Sequence, residues 1–199
     1  EILYLEQNEI KIAFLAYTYG TNGISIPSGK EYSVNLIDKD LIKDHIALAK
    51  QQEVDVICVN MHWGAEYRLT PHSTQEELAD FLFKNGVDII LGSHPHVLEP
   101  MEKRTITLED GTTKDGFVIY SLGNFVSGQI YANTKSTVIL DIQITKDSEG
   151  KISIGNVTYT PVYLYDAGSN SKSRTRYTLI DVEKAISDLN NQHSDGGGD

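Results

Sequence analysis

Alternating runs of apolar and polar residues predict strands and helices along most of the chain. Two β-forming runs, 2–5 and 10–17, are joined by a polar turn and predict a β-hairpin. Apolar residues then recur at helical spacing over 36–49, and Asp38 stands where negative charge favours a helix N-terminus. The pattern therefore predicts a sheet at the start of the chain, followed by a helix that ends near Gln52.

The next segment has the spacing of a strand, a helix and a second strand. Near-continuous apolar runs at 54–60 and 87–91 are typical of strands buried on both faces. Between them, Ser73 and Glu76 have the spacing of a capping box, which opens a helix that the Asn-Gly pair at 85–86 ends. This order predicts a parallel βαβ unit.

The later part of the chain changes to paired strands separated by turn-rich segments. Such spacing predicts antiparallel pairs, with strands at 106–108, 117–120, 137–145 and 152–165. An amphipathic helix is predicted at 181–189. We therefore expect one α/β domain over residues 1–190, followed by a flexible polar tail at 191–199.

Composition narrows the classes of function. The 199 residues include 17 Lys and Arg against 28 Asp and Glu, which gives a net charge of −11 and predicts a surface that repels nucleic acid. No apolar run reaches the roughly 20 residues that a membrane-spanning helix needs. The single cysteine, Cys58, excludes an intrachain disulfide, and its apolar surroundings predict a buried small side chain rather than a nucleophile.

Three histidines follow the predicted parallel strands. His62 ends one strand segment, and His94 and His96 follow the next. The carboxyl ends of neighbouring parallel strands form the usual ligand crevice of an open α/β sheet, so we expect the three imidazoles to converge. A His-x-His pair with a third histidine favours a metal site over a loop of hydrogen-bonded histidines.

Two further polar residues are candidates for catalytic roles. Glu66 lies four residues after His62, and Gly64 permits a tight turn that returns the carboxylate towards that imidazole. The alternatives for Glu66 are a metal ligand, an orienting partner of a histidine, a general base, or a solvated loop residue with no role in a site. Asn124 follows the predicted strand at 117–120, where its amide can ligate a hard metal, hold an oxyanion or form a local turn.

Three motifs carry a resemblance to a known family: residues 62–67, residues 86–97 together with Glu102, and residues 120–125. In this order and spacing, over residues 10–165, they resemble the poly-γ-glutamate capsule synthesis family (CapA, or PGA_cap), a branch of the calcineurin-like metallophosphoesterases. The resemblance implies an α/β fold, namely the C-terminal portion of a metallophosphoesterase-like four-layer α/β/β/α sandwich.

The same resemblance implies a metal centre. His62 corresponds to an isolated metal-binding histidine of the superfamily, and His94 and His96 correspond to its later histidine pair. The implied cofactor is one or two divalent ions, Mn, Zn or Fe. The family's earlier motifs, an Asp after the first strand, an Asn-Leu-Glu segment and an Asn-Asn-His segment, have no counterpart in the chain. We therefore expect some metal ligands to come from outside it.

The implied function is capsule or poly-γ-glutamate biosynthesis, with metal-dependent hydrolysis or transfer at a phosphoester or amide-like bond. Glu66 would support the histidines and Asn124 would lie at the rim of the site. The alternative is a non-catalytic polymer-binding or assembly component. A mononuclear zinc hydrolase with a His-x-His-x-Asp motif is disfavoured because Leu98 stands at the Asp position.

The resemblance also sets expectations for partners and location. The substrate would be an anionic polymer or a phosphoester, and no nucleic-acid partner is expected. The apolar strands would pack against a missing N-terminal half or a partner chain, and membrane-bound capsule synthesis proteins are candidate partners. We expect the protein outside the cytoplasm, at a bacterial cell surface, anchored through a segment that is not in this chain.

Overall fold

A large six-stranded sheet organises the molecule, whose computed structural model describes residues 2–108, 111–168 and 176–195. Across the sheet the strands are β1 (Leu3–Gln7), β2 (Ile10–Thr18), β3 (Val56–His62), β4 (Ile89–Ser93), β6 (Thr113–Ile119) and β5 (Met101–Thr107). β1 and β2 form the predicted antiparallel hairpin, and β5 pairs antiparallel with β6. The central strands β2, β3, β4 and β6 are parallel, so their carboxyl ends share one edge.

Two helices cover one face of this sheet. Helix α1 (Lys39–Gln51) begins where predicted, because the Asp38 carboxylate accepts hydrogen bonds from the backbone N–H groups of Asp40 and Leu41. Helix α2 (Ser73–Lys84) lies between β3 and β4 and completes the predicted parallel βαβ unit.

The capping residue predicted for α2 is wrong by one position. His72, not Ser73, is the N-cap: its Nδ1 accepts from the Thr74 N–H at 3.3 Å. Gln75, not Glu76, returns a side-chain oxygen to the His72 N–H at 2.8 Å. An imidazole nitrogen can accept a hydrogen bond just as a hydroxyl can, and the sequence rule for capping boxes does not include it.

A smaller antiparallel sheet packs on the other face. It consists of β7 (Ser136–Lys146), β8 (Ile152–Asp166) and β9 (Tyr177–Asp181). β7 and β8 are the predicted hairpin, whereas β9 was not predicted. Helix α3 (Val182–Asp195) follows β9 and contacts β8 and β9. It extends to Asp195, into the segment 191–199 predicted as a tail, and residues 196–199 lie outside the described part of the chain.

Alternating side chains of the large sheet supply two apolar cores. On β3, Ile57, Val59 and Met61 face the helices, whereas Val56 and Cys58 face the small sheet. Cys58 is buried as predicted, and burial raises the pKa of its thiol to about 12. The α/β class predicted from the sequence is confirmed. No helix among the described residues is long and apolar enough to cross a bilayer.

Candidate functional site

The predicted histidines lie together at the carboxyl edge of the parallel strands. His62 is the last residue of β3 and pairs in register with Ser93, the last residue of β4. The ring centroids of His62 and His94 are 4.6 Å apart, and those of His94 and His96 are 6.1 Å apart. Adjacent strand ends therefore bring the three imidazoles into one half-buried cluster.

One group within this cluster could hold a metal ion. Ligand atoms of Glu66, His94 and His96 all lie within 4.8 Å of one another, and no other such group of three occurs among the described residues. Two imidazole nitrogens and a carboxylate are donors that a divalent transition metal accepts. His62 is not in this group, although its ring contacts that of His94.

Glu66 faces the cleft but contacts a different histidine from the one expected. Its Oε1 lies 3.7 Å from His96 Nε2, whereas we expected it near His62. The reason is the path of the turn, in which Gly64 and Tyr67 have positive φ angles of 84° and 66°. The Tyr67 N–H then donates to the Pro95 carbonyl at 2.8 Å. This bond directs the turn across to the loop after β4 instead of back onto β3.

Asn124 holds His96 in a defined tautomer. Asn124 Nδ2 donates to the Thr134 carbonyl at 3.2 Å, so the atom 2.9 Å from His96 Nδ1 is Asn124 Oδ1, which accepts a hydrogen bond from the protonated Nδ1. The lone pair of His96 is therefore on Nε2, which faces Glu66. A histidine whose other nitrogen is bonded in this way is oriented for metal binding.

His62 is oriented by Thr18, the last residue of β2. The Thr18 hydroxyl donates to the Gly20 carbonyl at 2.8 Å, so its oxygen accepts from His62 Nδ1 at 2.9 Å. The free lone pair of His62 is again on Nε2. The strand-end loop around Thr18 contains hydroxyl and amide side chains, but turn formation explains them equally well from sequence alone.

Burial and mutual repulsion keep two of the imidazoles neutral. Desolvation lowers the pKa of His62 and of His94 below the ordinary value, and neighbouring histidines lower both further. For His94 the Glu66 carboxylate acts in the opposite direction without reversing the shift. Neutral imidazole is the form that binds a metal ion, so these two side chains are in the ligand form at neutral pH.

The backbone of the site is strained. Tyr67, His94 and His96 have positive φ angles of 66°, 100° and 63°, a region that non-glycine residues rarely adopt. Such conformations cost of order 1–3 kcal/mol each and persist only where the surrounding contacts impose them. Below the loop, a Cβ on Gly92 would lie 1.9 Å from the Tyr120 carbonyl oxygen, so only glycine fits there.

Exposed tyrosines surround the imidazoles. The Tyr19 ring centroid lies 4.5 Å from that of His94 and 5.5 Å from that of His62. Tyr67 stacks on His96 at 6.0 Å, and Tyr131 meets the Tyr67 ring edge-on at 5.2 Å. Sequence analysis did not identify Tyr131 as part of the site, because the loop that carries it is distant along the chain.

Comparison with solved structures shows the type of fold. A nicotinamide adenine dinucleotide (NAD) nucleotidase from Haemophilus influenzae superposes with a TM-score of 0.50 and 17% sequence identity, covering 97% of this chain and 36% of the nucleotidase. At this identity the similarity concerns the fold alone. The predicted metallophosphoesterase-like fold is thereby confirmed.

Sequence comparison identifies the family. The "PGA biosynthesis protein CapA" of Bacillus subtilis is 32% identical over 168 residues, which are 84% of this chain and 40% of that protein. The "Capsule biosynthesis protein CapA" of Bacillus anthracis is 32% identical over 146 residues, or 72% and 33% respectively. The chain therefore spans well under half the length of both relatives. The model of the bacterial capsule synthesis protein family PGA_cap matches residues 1–129, and the chain belongs to this family.

Proposed function

We propose that this chain supplies part of the metal centre of a capsule synthesis protein that hydrolyses or transfers a phosphoester or amide-like bond. The observation that carries the proposal is the group formed by Glu66, His94 and His96, whose ligand atoms lie within 4.8 Å of one another at the carboxyl edge of the sheet. A structural loop would not need strained φ angles at both of these histidines.

The donor set fits a divalent transition metal. Imidazole and carboxylate together suit Zn, Mn or Fe, and thiolate ligands are not among them. Such an ion polarises a substrate oxygen and lowers the pKa of a bound water. The chain's own residues prepare the site: Asn124 presents His96 Nε2, and Thr18 presents His62 Nε2. Because His62 lies beside His94 but outside the group of three, it is suited to a second ion.

We propose that further ligands come from another part of the same protein or from a partner chain. Ala16 and Asn60 lie on the central strands β2 and β3, yet both are exposed. They line a cavity of about 350 Å³ that reaches His62. Residues on central strands are ordinarily covered on both faces, so this surface fits an additional element next to the metal centre.

The proposed setting is the outside of a bacterial cell, with anchoring through a segment beyond this chain. It is supported by membership of the capsule synthesis family, because a capsule is assembled outside the cytoplasm. The proposed substrate is an anionic polymer or a phosphoester. With a net charge of −11, the protein needs a local cation to attract it, and a bound metal ion provides one.

Metal content and turnover of the full-length protein, measured together, test the proposal. After equilibration with Mn²⁺, Zn²⁺ or Fe²⁺, we expect a stoichiometric bound ion and hydrolysis of one member of a panel of phosphomonoesters, phosphodiesters and γ-glutamyl amides. His96→Ala should abolish both, whereas His72→Asn, which removes an exposed histidine and keeps an N-cap side chain, should abolish neither. A protein that binds the polymer without metal or turnover would be the non-catalytic component instead.

A further inference from the structure

Two buried polar side chains meet next to the loops that carry Glu66, His94 and His96, which we call the metal-binding group. Gln75, on α2, is 1% exposed and Glu99, on the loop after His96, is 5% exposed. Gln75 Nε2 donates to Glu99 Oε2 at 2.8 Å, while the other carboxyl oxygen, Oε1, has no hydrogen-bond partner among the described residues. Burying a carboxyl group with one oxygen unsatisfied costs stability, so its presence here calls for a physical reason.

Gln75 supports the turn that carries Glu66. Its Oε1 accepts from the His72 N–H at 2.8 Å, which fixes the side chain against the start of α2. A Cβ on Gly64 would lie 2.7 Å from Gln75 Oε1 and Cδ, so the amide fills the space directly beneath this glycine. The turn therefore rests on the Gln75 amide.

Glu99 connects the other two loops of the site. Its backbone N–H donates to the Ser121 carbonyl at 3.1 Å, three residues before Asn124. Glu99 itself follows His96 by three residues. The loop that carries the two histidines is thus tied to the Asn124 loop by the Glu99 backbone and to α2 by the Glu99 side chain.

We propose that Gln75 and Glu99 are positioning residues for the metal-binding group, and that their hydrogen bond sets the separation between the Gly64 turn and the His94 to His96 loop. This separation brings Glu66 to within 3.7 Å of His96 and lets the Tyr67 N–H reach the Pro95 carbonyl. The assignment of a metal to the group rests on the proposed function; the positioning of the two loops does not.

Exchanging the amide and the carboxyl group between positions 75 and 99 of the full-length protein tests the proposal. Gln75→Glu alone removes the amide donor and places two carboxyl groups face to face in a buried site, and above the pH at which both are ionised their repulsion should separate the loops. Adding Glu99→Gln restores one amide and one carboxylate with the donor and acceptor exchanged, and the carboxylate at position 75 still accepts from the His72 N–H. Gln75→Glu should lower Zn²⁺ affinity about 10–100-fold, and the double variant should recover it to within about threefold.

Amide hydrogen exchange at Tyr67 in the metal-free protein is the second readout. The Tyr67 N–H is protected by its bond to Pro95, so Gln75→Glu should lose this protection and the double variant should regain it. Two controls separate positioning from general effects. Glu77→Gln removes an exposed charge from the same helix and should change neither readout. Leu82→Ala opens a cavity in the core and should lower the melting temperature while leaving Zn²⁺ affinity unchanged.

The outcomes distinguish this proposal from the proposed function. If the parent protein binds no divalent ion but Tyr67 protection is lost and regained as described, the metal assignment fails and the positioning role stands. Unchanged protection in Gln75→Glu, or no recovery in the double variant, overturns the positioning role. If Gln75→Glu does not fold, Gln75→Met fills the same space without the amide donor and with only a weak sulfur acceptor. Full Tyr67 protection in that variant would also overturn the proposal.

Discussion

The two edges of the parallel sheet both carry polar groups but use them differently. At the amino edge, a cavity of about 430 Å³ is lined by charged residues including Lys114 and Asp88. Asp88 accepts from the Ile57 N–H at 2.8 Å and pairs with Lys114 at 2.7 Å, so both carboxyl oxygens are occupied. At the carboxyl edge, the smaller cavity of about 350 Å³ contains His62, whose Nε2 retains a free lone pair.

This difference shows that a cavity lined by charges is not by itself a functional site. At the amino edge, Asp55 accepts from the Lys11 N–H and pairs with Lys146, each at 2.8 Å. Burial raises the pKa of Asp55, but the bonds to Lys146 and Lys11 outweigh it and hold the pKa below its ordinary value. Its hydrogen-bonding capacity is used for stability. At the carboxyl edge, Thr18 and Asn124 hydrogen-bond to Nδ1 of His62 and His96. Each of these histidines therefore keeps a free Nε2 that can bind a ligand.

Removing a histidine should cause the largest loss of metal affinity. Substitutions at the amino edge should cause no such loss. We expect His94→Ala to lower the affinity of the full-length protein for Zn²⁺ by more than about 100-fold. Loss of a residue that only hydrogen-bonds to a metal ligand costs up to about this much, and loss of the ligand itself should cost more. Asp88→Asn, at the amino edge, should leave the affinity unchanged. Competition with a chromophoric chelator measures both. Equal losses in the two variants would show that the edges do not differ in this respect.

Glu66→Gln tests how much the Glu66 carboxylate contributes to the site at the carboxyl edge. The substitution keeps the size of the side chain but removes the charge near His96. Because Glu66 belongs to the proposed ligand group itself, we expect Zn²⁺ affinity or turnover to fall by at least the roughly 10–100-fold that loss of an outer-shell partner costs. The matched control is Glu77→Gln, an exposed carboxylate on α2. Unchanged values for Glu66→Gln would mean that this residue is peripheral to the site.

At the amino edge, the corresponding loss should appear in stability and not in metal binding. Asp88→Ala leaves the Ile57 N–H without its acceptor and Lys114 without its partner. An unsatisfied buried donor costs about 1–3 kcal/mol, so we expect a decrease of this size in the free energy of unfolding. Urea denaturation measures it. A loss of Zn²⁺ affinity at constant stability would contradict the division of roles between the two edges.

The shared carboxyl edge could be predicted from the sequence because strand order and periodicity are local properties. The apolar runs of β3 and β4 are enough by themselves to place His62 and His94 at neighbouring strand ends. Which histidine Glu66 contacts could not be predicted, because it depends on positive φ angles at non-glycine residues such as Tyr67. Long-range contacts impose these angles, and the local pattern does not show them.

The missed elements have similar explanations. β9 consists of five residues, none of them fully buried, and passes directly into α3, so it has no apolar strand pattern of its own that separates it from the helix. Thr18 orients His62 across 44 positions of sequence, a separation at which no local motif operates. Gln75 and Glu99 are buried polar residues joined by a hydrogen bond across 24 positions of sequence, which no local pattern shows. Composition would have placed both on the surface.

The smallest expected effect is a pH dependence that originates at the carboxyl edge. The pKa values of His62 and His94 are lowered in the folded protein by burial, so the unfolded chain binds more protons as the pH falls through the ordinary histidine value. Each histidine therefore contributes stability that is present above about pH 6.5 and is lost as the pH decreases towards its folded pKa. Metal-free protein should lose stability between about pH 7 and 5.

His94→Gln tests this origin, because it removes one of the two titrating groups. Urea denaturation of the metal-free full-length protein across this range should show a shallower loss of stability for the variant than for the parent. The pKa of His45 is also lowered by burial, so part of the pH dependence should remain in the variant. His72→Asn serves as the control because His72 is exposed and should leave the slope unchanged. If His94→Gln has the slope of the parent, the pH dependence arises elsewhere in the molecule.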